Sequence, residues 1–336
     1  MKSVLLLLVF PGFILSPALA GGKSDSLELK RINEREFRFL YYKGFSAEKT
    51  LQLSSKDLLT LAVESGAGNV EIKGYDADVI KVKADIVLSA RSIGRAATIV
   101  EEFMDLSLEK LGSKALLKSH FDFHQRNNLS EAVNPNGFFS SPVRKIDLVV
   151  YVPKYLAVTV NDRSGDLFIE GIENDLTVRD RSGFLEIKNI KGNLKLKDSS
   201  GDIKLVNINT REDEKKRITI SDRSGTIRLK GANADVELFD RSGDISIGKI
   251  SGNISLTDAS GHLFIEEVEG NLKLNDASGD IKATDINGNV TLSDNSGGVY
   301  VNHVTQSVHV KNAGTGDLRI RNYDGSISGD LRRLGR

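Results

Sequence analysis

Eight aspartates recur in one short motif, Asp-x-Ser-Gly, and their carboxylates are the side chains of this chain most suited to chemistry. Paired carboxylates act as acid and base in glycoside cleavage, and carboxylate clusters bind calcium. The motif begins at Asp162, Asp180, Asp198, Asp222, Asp240, Asp258, Asp276 and Asp294. It ends at Gly165, Gly183, Gly201, Gly225, Gly243, Gly261, Gly279 and Gly297. Because these glycines are 18 residues apart, with one spacing of 24, they predict a stack of repeated coils.

Each copy contains two short segments in which apolar and polar residues alternate. Counted from the motif glycine, apolar residues fall at positions +2, +4, +7, +11 and +13, as in Leu185, Ile187, Ile190, Leu194 and Leu196. This alternation predicts two strands per copy with one inward face, which only a stack can bury. We therefore predict an all-β parallel β-solenoid of about nine to eleven coils with 18-residue repeats. Apolar residues do not recur every six residues, as in left-handed hexapeptide coils, and this favours a right-handed β-helix.

A second corner of the copy carries Gly-Asn between the two strands. Its asparagines are Asn193, Asn253, Asn271 and Asn289. Glycine and asparagine tolerate positive φ, so we expect a tight bend there, and stacked amides can hydrogen-bond along the coil axis. At the Asp-x-Ser-Gly corner we expect Asp to accept backbone N–H groups and Gly to relieve a strained angle.

The chain divides into four predicted segments. Residues 1–20 have the apolar run and the Ala18–Ala20 cleavage pattern of a signal peptide. Residues 21–57 form a leader or cap, residues 58–145 irregular first coils, and residues 146–336 the regular solenoid with a C-terminal capping coil. Leu59, Leu61 and Val63 alternate as in a strand that opens an earlier, degenerate copy.

Three insertions interrupt the strand pattern. Residues 92–104 have helical spacing, with Ser92 as the cap, and a hairpin with Gly112 in its turn follows. Residues 123–143 read as an exposed loop, and residues 210–216 as an excursion within the third repeat.

Composition excludes several classes of protein. The 336 residues contain 46 basic and 46 acidic side chains and no cysteine. The zero net charge predicts no attraction to nucleic acid, and the lack of cysteine excludes disulfides and thiolate metal sites. No stretch after the signal peptide is apolar enough for a transmembrane helix. We predict no cofactor.

The aspartates have two interpretations, because carboxylates at the strand spacing of about 4.8 Å repel one another. They could hold a row of calcium ions together with the following Asp166, Asp202, Asp244 and Asp280. Alternatively, each caps its own turn, and the row is neutralised by Arg163, Arg181, Arg223 and Arg241. The second Asp is absent from several copies, and the Gly-Gly-x-Gly-x-Asp repeat of calcium solenoids is missing, which favours the caps.

Other candidate sites are weaker. The outward aromatics Phe168, Phe264 and Tyr300 do not lie on adjacent coils, so they make no carbohydrate-binding stripe. No metal-ligand spacing relates the histidines, which are His120, His124, His262, His303 and His309. A polysaccharide-cleaving site would have to lie at the 123–143 loop or the 210–216 insertion, since corners account for every repeating carboxylate.

The motifs also resemble a known family. Val152–Lys154, then Asp162–Leu167, then the iterated Gly-Asn-Leu-x-Leu-x-Asp-x-Ser-Gly-Asp-Ile resemble the bacterial "putative adhesin" β-strand-repeat family, a domain of unknown function. Gly68–Gly74 is similar to the start of such domains. The resemblance covers roughly residues 58–330 and implies a β-solenoid in the cell envelope without an established catalytic motif.

We therefore expect an exported, non-enzymatic envelope protein, in the periplasm or on the surface of a bacterium, that serves as an adhesin-like or scaffold surface. Its partner would be an envelope protein or a polysaccharide. The alternative is a carbohydrate-active solenoid enzyme, a polysaccharide lyase or hydrolase.

Overall fold

A computed structural model describes residues 27–32, 43–122, 143–209 and 217–335, which form a parallel β-solenoid as the repeat predicts. One sheet has 14 strands and the other has 13, and their inward side chains form one continuous hydrophobic core. The predicted signal peptide, residues 21–26 and 33–42 of the predicted leader, residues 123–142 and the 210–216 insertion lie outside the described residues. The predicted right-handedness stays a prediction.

The irregular part precedes the regular coils. Its elements are β1 (Lys30–Arg31), β2 (Lys43–Ser54), β3 (Thr60–Ser65), β4 (Val70–Tyr75), β5 (Val79–Ala90), α1 (Ile93–Phe103), β6 (Met104–Leu111), β7 (Lys114–Phe121) and β8 (Arg144–Pro153). Helix α1 begins as predicted, because the Ser92 hydroxyl accepts the Arg95 N–H at 3.2 Å. β6 and β7 form the predicted antiparallel hairpin. Within the described residues no helix is long and apolar enough to cross a bilayer, and α1 has only 11 residues.

The regular part alternates between the two sheets. The strands of the first sheet are β10 (Leu167–Glu170), β12 (Leu185–Ile190), β14 (Ile203–Asn209), β16 (Ile227–Asn233), β18 (Ile245–Ile250), β20 (Leu263–Val268), β22 (Ile281–Ile286), β24 (Val299–Val304) and β26 (Leu318–Tyr323). Those of the second sheet are β9 (Ala157–Asn161), β11 (Leu176–Arg179), β13 (Leu194–Lys197), β15 (Arg217–Ser221), β17 (Asp235–Phe239), β19 (Ile254–Thr257), β21 (Leu272–Asp276), β23 (Val290–Asp294), β25 (Val308–Ala313) and β27 (Ile327–Gly329).

Like residues stack on like residues in this part. Leu185 pairs with Leu167 on one side and with Ile203 on the other, each 18 residues away. Across the six-residue insertion the offset becomes 24, as in Ile203 and Ile227, and the ladder continues unbroken. The described strands on either side of the insertion therefore keep their register. The inward residues at +2, +4, +7, +11 and +13 of the second copy are at most 1% exposed, so the repeat buries the predicted face.

Strands β3 and β4 take the place of one earlier coil, as the sequence predicts. Leu61 pairs with Val158, and Val70 pairs with Leu167. Leu59 differs from the prediction, because it precedes β3 and is 68% exposed. Beyond this coil, β8 pairs parallel with β4, and the first sheet then continues through antiparallel β5 and β2. The second sheet continues through β7 and β6.

The last coil is covered by the end of the chain. The Leu318 N–H donates to the Arg333 carbonyl at 3.2 Å, and the Gly335 N–H donates to the Leu318 carbonyl at 2.8 Å. The Arg332 guanidinium donates two hydrogen bonds of 2.7 Å to the Asp330 carboxylate. The two backbone hydrogen bonds pair the N–H and the carbonyl of Leu318 at the outer edge of β26, where they would otherwise be open to another strand.

Candidate functional site

The Asp-x-Ser-Gly corner turns the chain from the second sheet into the first. The Asp side chain points inward and its Oδ1 accepts nearby N–H groups, as in Asp222, which accepts the Arg223 N–H at 2.6 Å. In all eight copies the motif glycine has a positive φ, from +125° to +146°. A Cβ on Gly261 would lie 1.9 Å from the Gly243 carbonyl oxygen of the neighbouring coil. Glycine is therefore required both for the backbone angle and for the close approach of coils.

The eight motif aspartates form one interior column, named here the Asp file. Each is at most 7% exposed, and the Oδ2 atom of each is buried without a hydrogen-bond partner in the described part of the chain. Ser65 occupies the place of Asp before Asp162 and donates its hydroxyl hydrogen to that carboxylate. Ala313 occupies the place after Asp294. The file thus ends in a hydroxyl on one side and a methyl group on the other.

Burial raises the pKa of the carboxyls in the Asp file above the ordinary 3.8, and repulsion between neighbouring carboxylates adds to it in most of the file. The pKa reaches about 6 at Asp180, Asp198, Asp222, Asp258 and Asp276. It is also raised at Asp162, Asp240 and Asp294, mainly by burial. The folded chain therefore holds protons in a pH range where exposed carboxyls are ionised.

The predicted neutralisation of this row by arginine is wrong. None of the motif arginines in the described chain makes an ion pair with the Asp file. The physical reason is the alternation of side chains, since Arg181 follows inward Asp180 directly and is exposed on the outside. Backbone N–H groups and, below about pH 6, bound protons compensate the buried carboxyls.

The second set of acids lies on the outer side of the corner and bonds to the next coil. Oxygens of Asp166 and Asp202 accept the Phe184 N–H at 3.0 Å and the Thr226 N–H at 2.9 Å. Asp244 and Asp280, two and four coils beyond Asp202, do the same for the N–H groups of His262 and Gly298. Among the described residues no group of three or more His, Asp or Glu side chains is placed to hold a metal ion. The calcium interpretation gains no support from this geometry.

The Gly-Asn corner differs from its predicted form. Gly192, Gly252, Gly270 and Gly288 have no positive φ. A Cβ on Gly270 would instead lie 2.3 Å from the Gly252 carbonyl oxygen, so glycine is needed for the contact between coils. The left-handed residues of this corner come three positions earlier, at +6. They are Gly171, Asn189, Asn207, Gly231, Lys249, Glu267, Asp285, His303 and Asn322.

Sequence reasoning missed this left-handed column. Glycine, asparagine and aspartate at +6 were a usable signal, because they tolerate φ near +55°. Lys249, Glu267 and His303 obscured it. Side chains at +6 also contact one another across coils, as in the 2.8 Å contact between His303 Nδ1 and the Asp285 carboxylate.

The predicted asparagines form a ladder of side-chain amides along the edge of the second sheet. Asn253 Oδ1 accepts both the backbone N–H of Asn271 at 3.0 Å and its side-chain amide at 3.1 Å. Asn271 and Asn289 repeat the arrangement at 2.9 and 3.2 Å. Asp235 begins the run below Asn253, and Asn193 bonds in the same way to Asp175. Each amide has two N–H donors and uses one in the ladder, so Asn253 and Asn271 each keep one for a ligand.

An open groove of about 630 Å³ runs beside this ladder on the outer face of the second sheet. It crosses five consecutive coils, from β15 to β23. Its polar lining consists of Arg217, Asp235, Glu237, Asn253, Ser255, Asn271, Lys273, Asn289 and Thr291. Donors and acceptors therefore repeat along it at the strand spacing of about 4.8 Å.

The remaining predicted candidates are scattered. Phe264 is 47% exposed beside His262, and Phe168 contacts Phe184 rather than another outward aromatic of the predicted set. The His262 ring nitrogen accepts the Asp280 N–H at 3.2 Å. His309 contacts Ser328, and His120 lines a hollow near Ser65. His124 and the two places proposed for a cleaving site lie outside the described residues.

Comparison with solved structures finds likenesses of low identity. A "putative cell adhesion protein" from Clostridium sporogenes shares 12% identity over 66% of this chain and 99% of its own, with a TM-score of 0.34. A "putative adhesin" from Parabacteroides merdae shares 12% identity over 84% and 96%, with a TM-score of 0.30. A "putative lipid binding protein" from Parabacteroides distasonis shares 15% over 84% and 94%, with a TM-score of 0.33. At these TM-scores the likenesses assign no function.

Comparison with curated proteins finds no significant match. The family model described as Toastrack DUF4097 matches residues 21–249 and, in a second match, residues 105–328. The two matches together span the hairpin insertion, the regular coils and both corner ladders. The chain therefore belongs to the Toastrack DUF4097 family.

Proposed function

We propose that this chain is an exported, non-enzymatic β-solenoid of the bacterial cell envelope that binds an extended partner, protein or polysaccharide, along the outer face of its second sheet. The signal-peptide pattern of residues 1–20 supports export. The groove beside the asparagine ladder is the observation that carries the binding role.

The groove suits an extended partner because its chemistry repeats. Asn253 and Asn271 present amides on neighbouring coils, and exposed Ser255 and Lys273 lie on the same two coils, one strand apart. An extended chain laid across the strands would meet an equivalent set of donors and acceptors at every coil. Repeated weak contacts of this kind add up along a polymer.

Two matched pairs of substitutions test the proposal. Ser255→Arg with Lys273→Glu changes bulk and charge in the groove. Ser246→Arg with Lys282→Glu makes the same changes at exposed positions of the first sheet. Immobilised wild-type protein and both variants are incubated with separated protein and polysaccharide fractions of the cell envelope, and the retained material is quantified.

We expect the groove pair to lower retention about tenfold or more, since it replaces two contacts and adds repulsion, while the first-sheet pair retains as much as wild type. Equal retention by all three proteins would show that the groove is not the binding face. A wild-type protein that retains nothing from either fraction would contradict the binding role. Shortening of a retained polysaccharide would reveal catalysis instead.

A further inference from the structure

A second concave surface lies at the other end of the second sheet, where the regular coils begin. Its volume is about 390 Å³. Four cationic side chains line it, and we call it the basic hollow: Arg163, Arg179, Arg181 and Lys197. It is distinct from the groove beside the asparagine ladder, since it lies at the Asp-x-Ser-Gly corner and on earlier coils.

The register of the solenoid brings these cations together. Arg179 on β11 pairs with Lys197 on β13, and both point outward. Arg163 and Arg181 occupy the same position of the Asp-x-Ser-Gly motif in adjacent copies. The backbone positions of these cations are thus about one strand spacing apart, in two columns on either side of inward Asp180.

These cations have no carboxylate partners among the described residues. All four are exposed, whereas some cations elsewhere on the surface are paired. On the outer face of the first sheet, Glu186 alone pairs with Lys188 at 2.7 Å and with Lys204 at 2.8 Å. An anion in the hollow would meet these four exposed cations and one exposed carboxylate, that of Glu64, while the carboxylates of Asp162 and Asp180 that also line the hollow are buried. The balance of exposed charge therefore favours an anion.

We propose that the basic hollow binds a short segment of an acidic polysaccharide, a linear glycan that carries carboxylate groups. Arginine guanidinium groups match carboxylates through paired hydrogen bonds. One sugar unit of an extended glycan has a length close to the spacing of adjacent strands, so successive carboxylates can meet successive cations.

The polar residues between the cations distinguish a glycan from a nucleic acid. Glu64, Asn161 and Ser199 also line the hollow and can hydrogen-bond to sugar hydroxyls. Four cations are few for a phosphate backbone. The zero net charge of the chain keeps the attraction local to the hollow.

Isothermal titration of the full chain with oligogalacturonate at low salt tests the inference. A neutral gluco-oligosaccharide of equal length and a single-stranded oligonucleotide serve as the other probes. We expect oligogalacturonate to bind and Arg179→Ala with Arg181→Ala to weaken it about 100-fold, because each substitution removes one guanidinium–carboxylate pair and each pair contributes roughly tenfold in affinity. Arg223→Ala with Arg241→Ala removes two arginines from the same motif position outside the hollow and should leave the affinity unchanged.

Several outcomes would overturn it. They are no heat of binding with oligogalacturonate, equal affinity for the neutral glycan, tighter binding of the oligonucleotide, or an equal loss of affinity in the Arg223→Ala, Arg241→Ala protein. The Ser255→Arg, Lys273→Glu protein should bind oligogalacturonate as wild type does. A failure of the hollow is thereby separated from a failure of the groove.

Discussion

Replacing Asp222 by asparagine should stabilise the folded protein at pH 8 and leave it almost unchanged at pH 4. Asp222 lies in the middle of the Asp file, and burial together with repulsion from Asp198 and Asp240 raises its pKa to about 6. Asparagine has the same shape, and its Oδ1 can still accept the Arg223 N–H. Its amide can also donate to a neighbouring Oδ2 that has no partner in the described chain.

The magnitude follows from proton linkage. The folded-state pKa lies above the ordinary 3.8, so between pH 3.8 and about 6 the folded chain keeps a proton that the unfolded chain releases. The stabilisation is full below pH 3.8 and is lost as the pH rises through 6. For one carboxyl the loss is about 3 kcal/mol. The other members of the file titrate as a coupled set in the same range, so the stability of the wild-type protein should fall from pH 4 to pH 7.

Urea unfolding followed by circular dichroism at several pH values between 4 and 8 measures the effect. The matched control is Asp202→Asn, which changes an exposed carboxylate on the outer side of the corner and should preserve the wild-type pH profile. An Asp222→Asn protein that is destabilised equally at pH 4 and pH 8 would refute the reasoning. Such a result would mean that the carboxylate is ionised and compensated in the folded state.

Three further substitutions test the packing of the coils by the midpoint of urea unfolding. Ile247→Asp should cost about 4 kcal/mol or more, because Ile247 is 1% exposed, whereas Ser246→Asp on the outer face should cost little; similar midpoints for the two would contradict the inward placement of Ile247. Gly261→Ala should cost at least about 2 kcal/mol, since φ is +143° and the Cβ would strike the next coil. Gly94→Ala meets no atom within 4 Å and should not destabilise, so equal losses of stability at both glycines would dismiss the steric argument. Asn271→Ala should cost about 1 kcal/mol through the broken amide ladder, and wild-type stability would show that the ladder is not stabilising.

Much of the fold followed from periodicity. Alternation with a period of two residues, as in Leu185 and Ile187, required one inward face on each strand. The regular spacing of the motif glycines required a stack of coils. The helix of residues 92–104 and its Ser92 cap were also readable, because helical spacing and capping are local properties. The chemistry of the candidate sites depended instead on which side of the folded corner each side chain occupies. Arg181 could have neutralised Asp180 by sequence proximity, and only the alternation of sides at the corner separates them.

The sequence by itself determined the repeat, the two strands per coil and the positions of both corners, since each depends on the chain within a single copy. Only the tertiary structure decided what stacking does to them. It places glycines such as Gly270 at backbone contacts between coils rather than at a positive φ, because the constraint comes from a residue 18 positions away. It also turns the motif aspartates into a buried file with raised pKa values, because burial and repulsion arise only when one coil lies on the next.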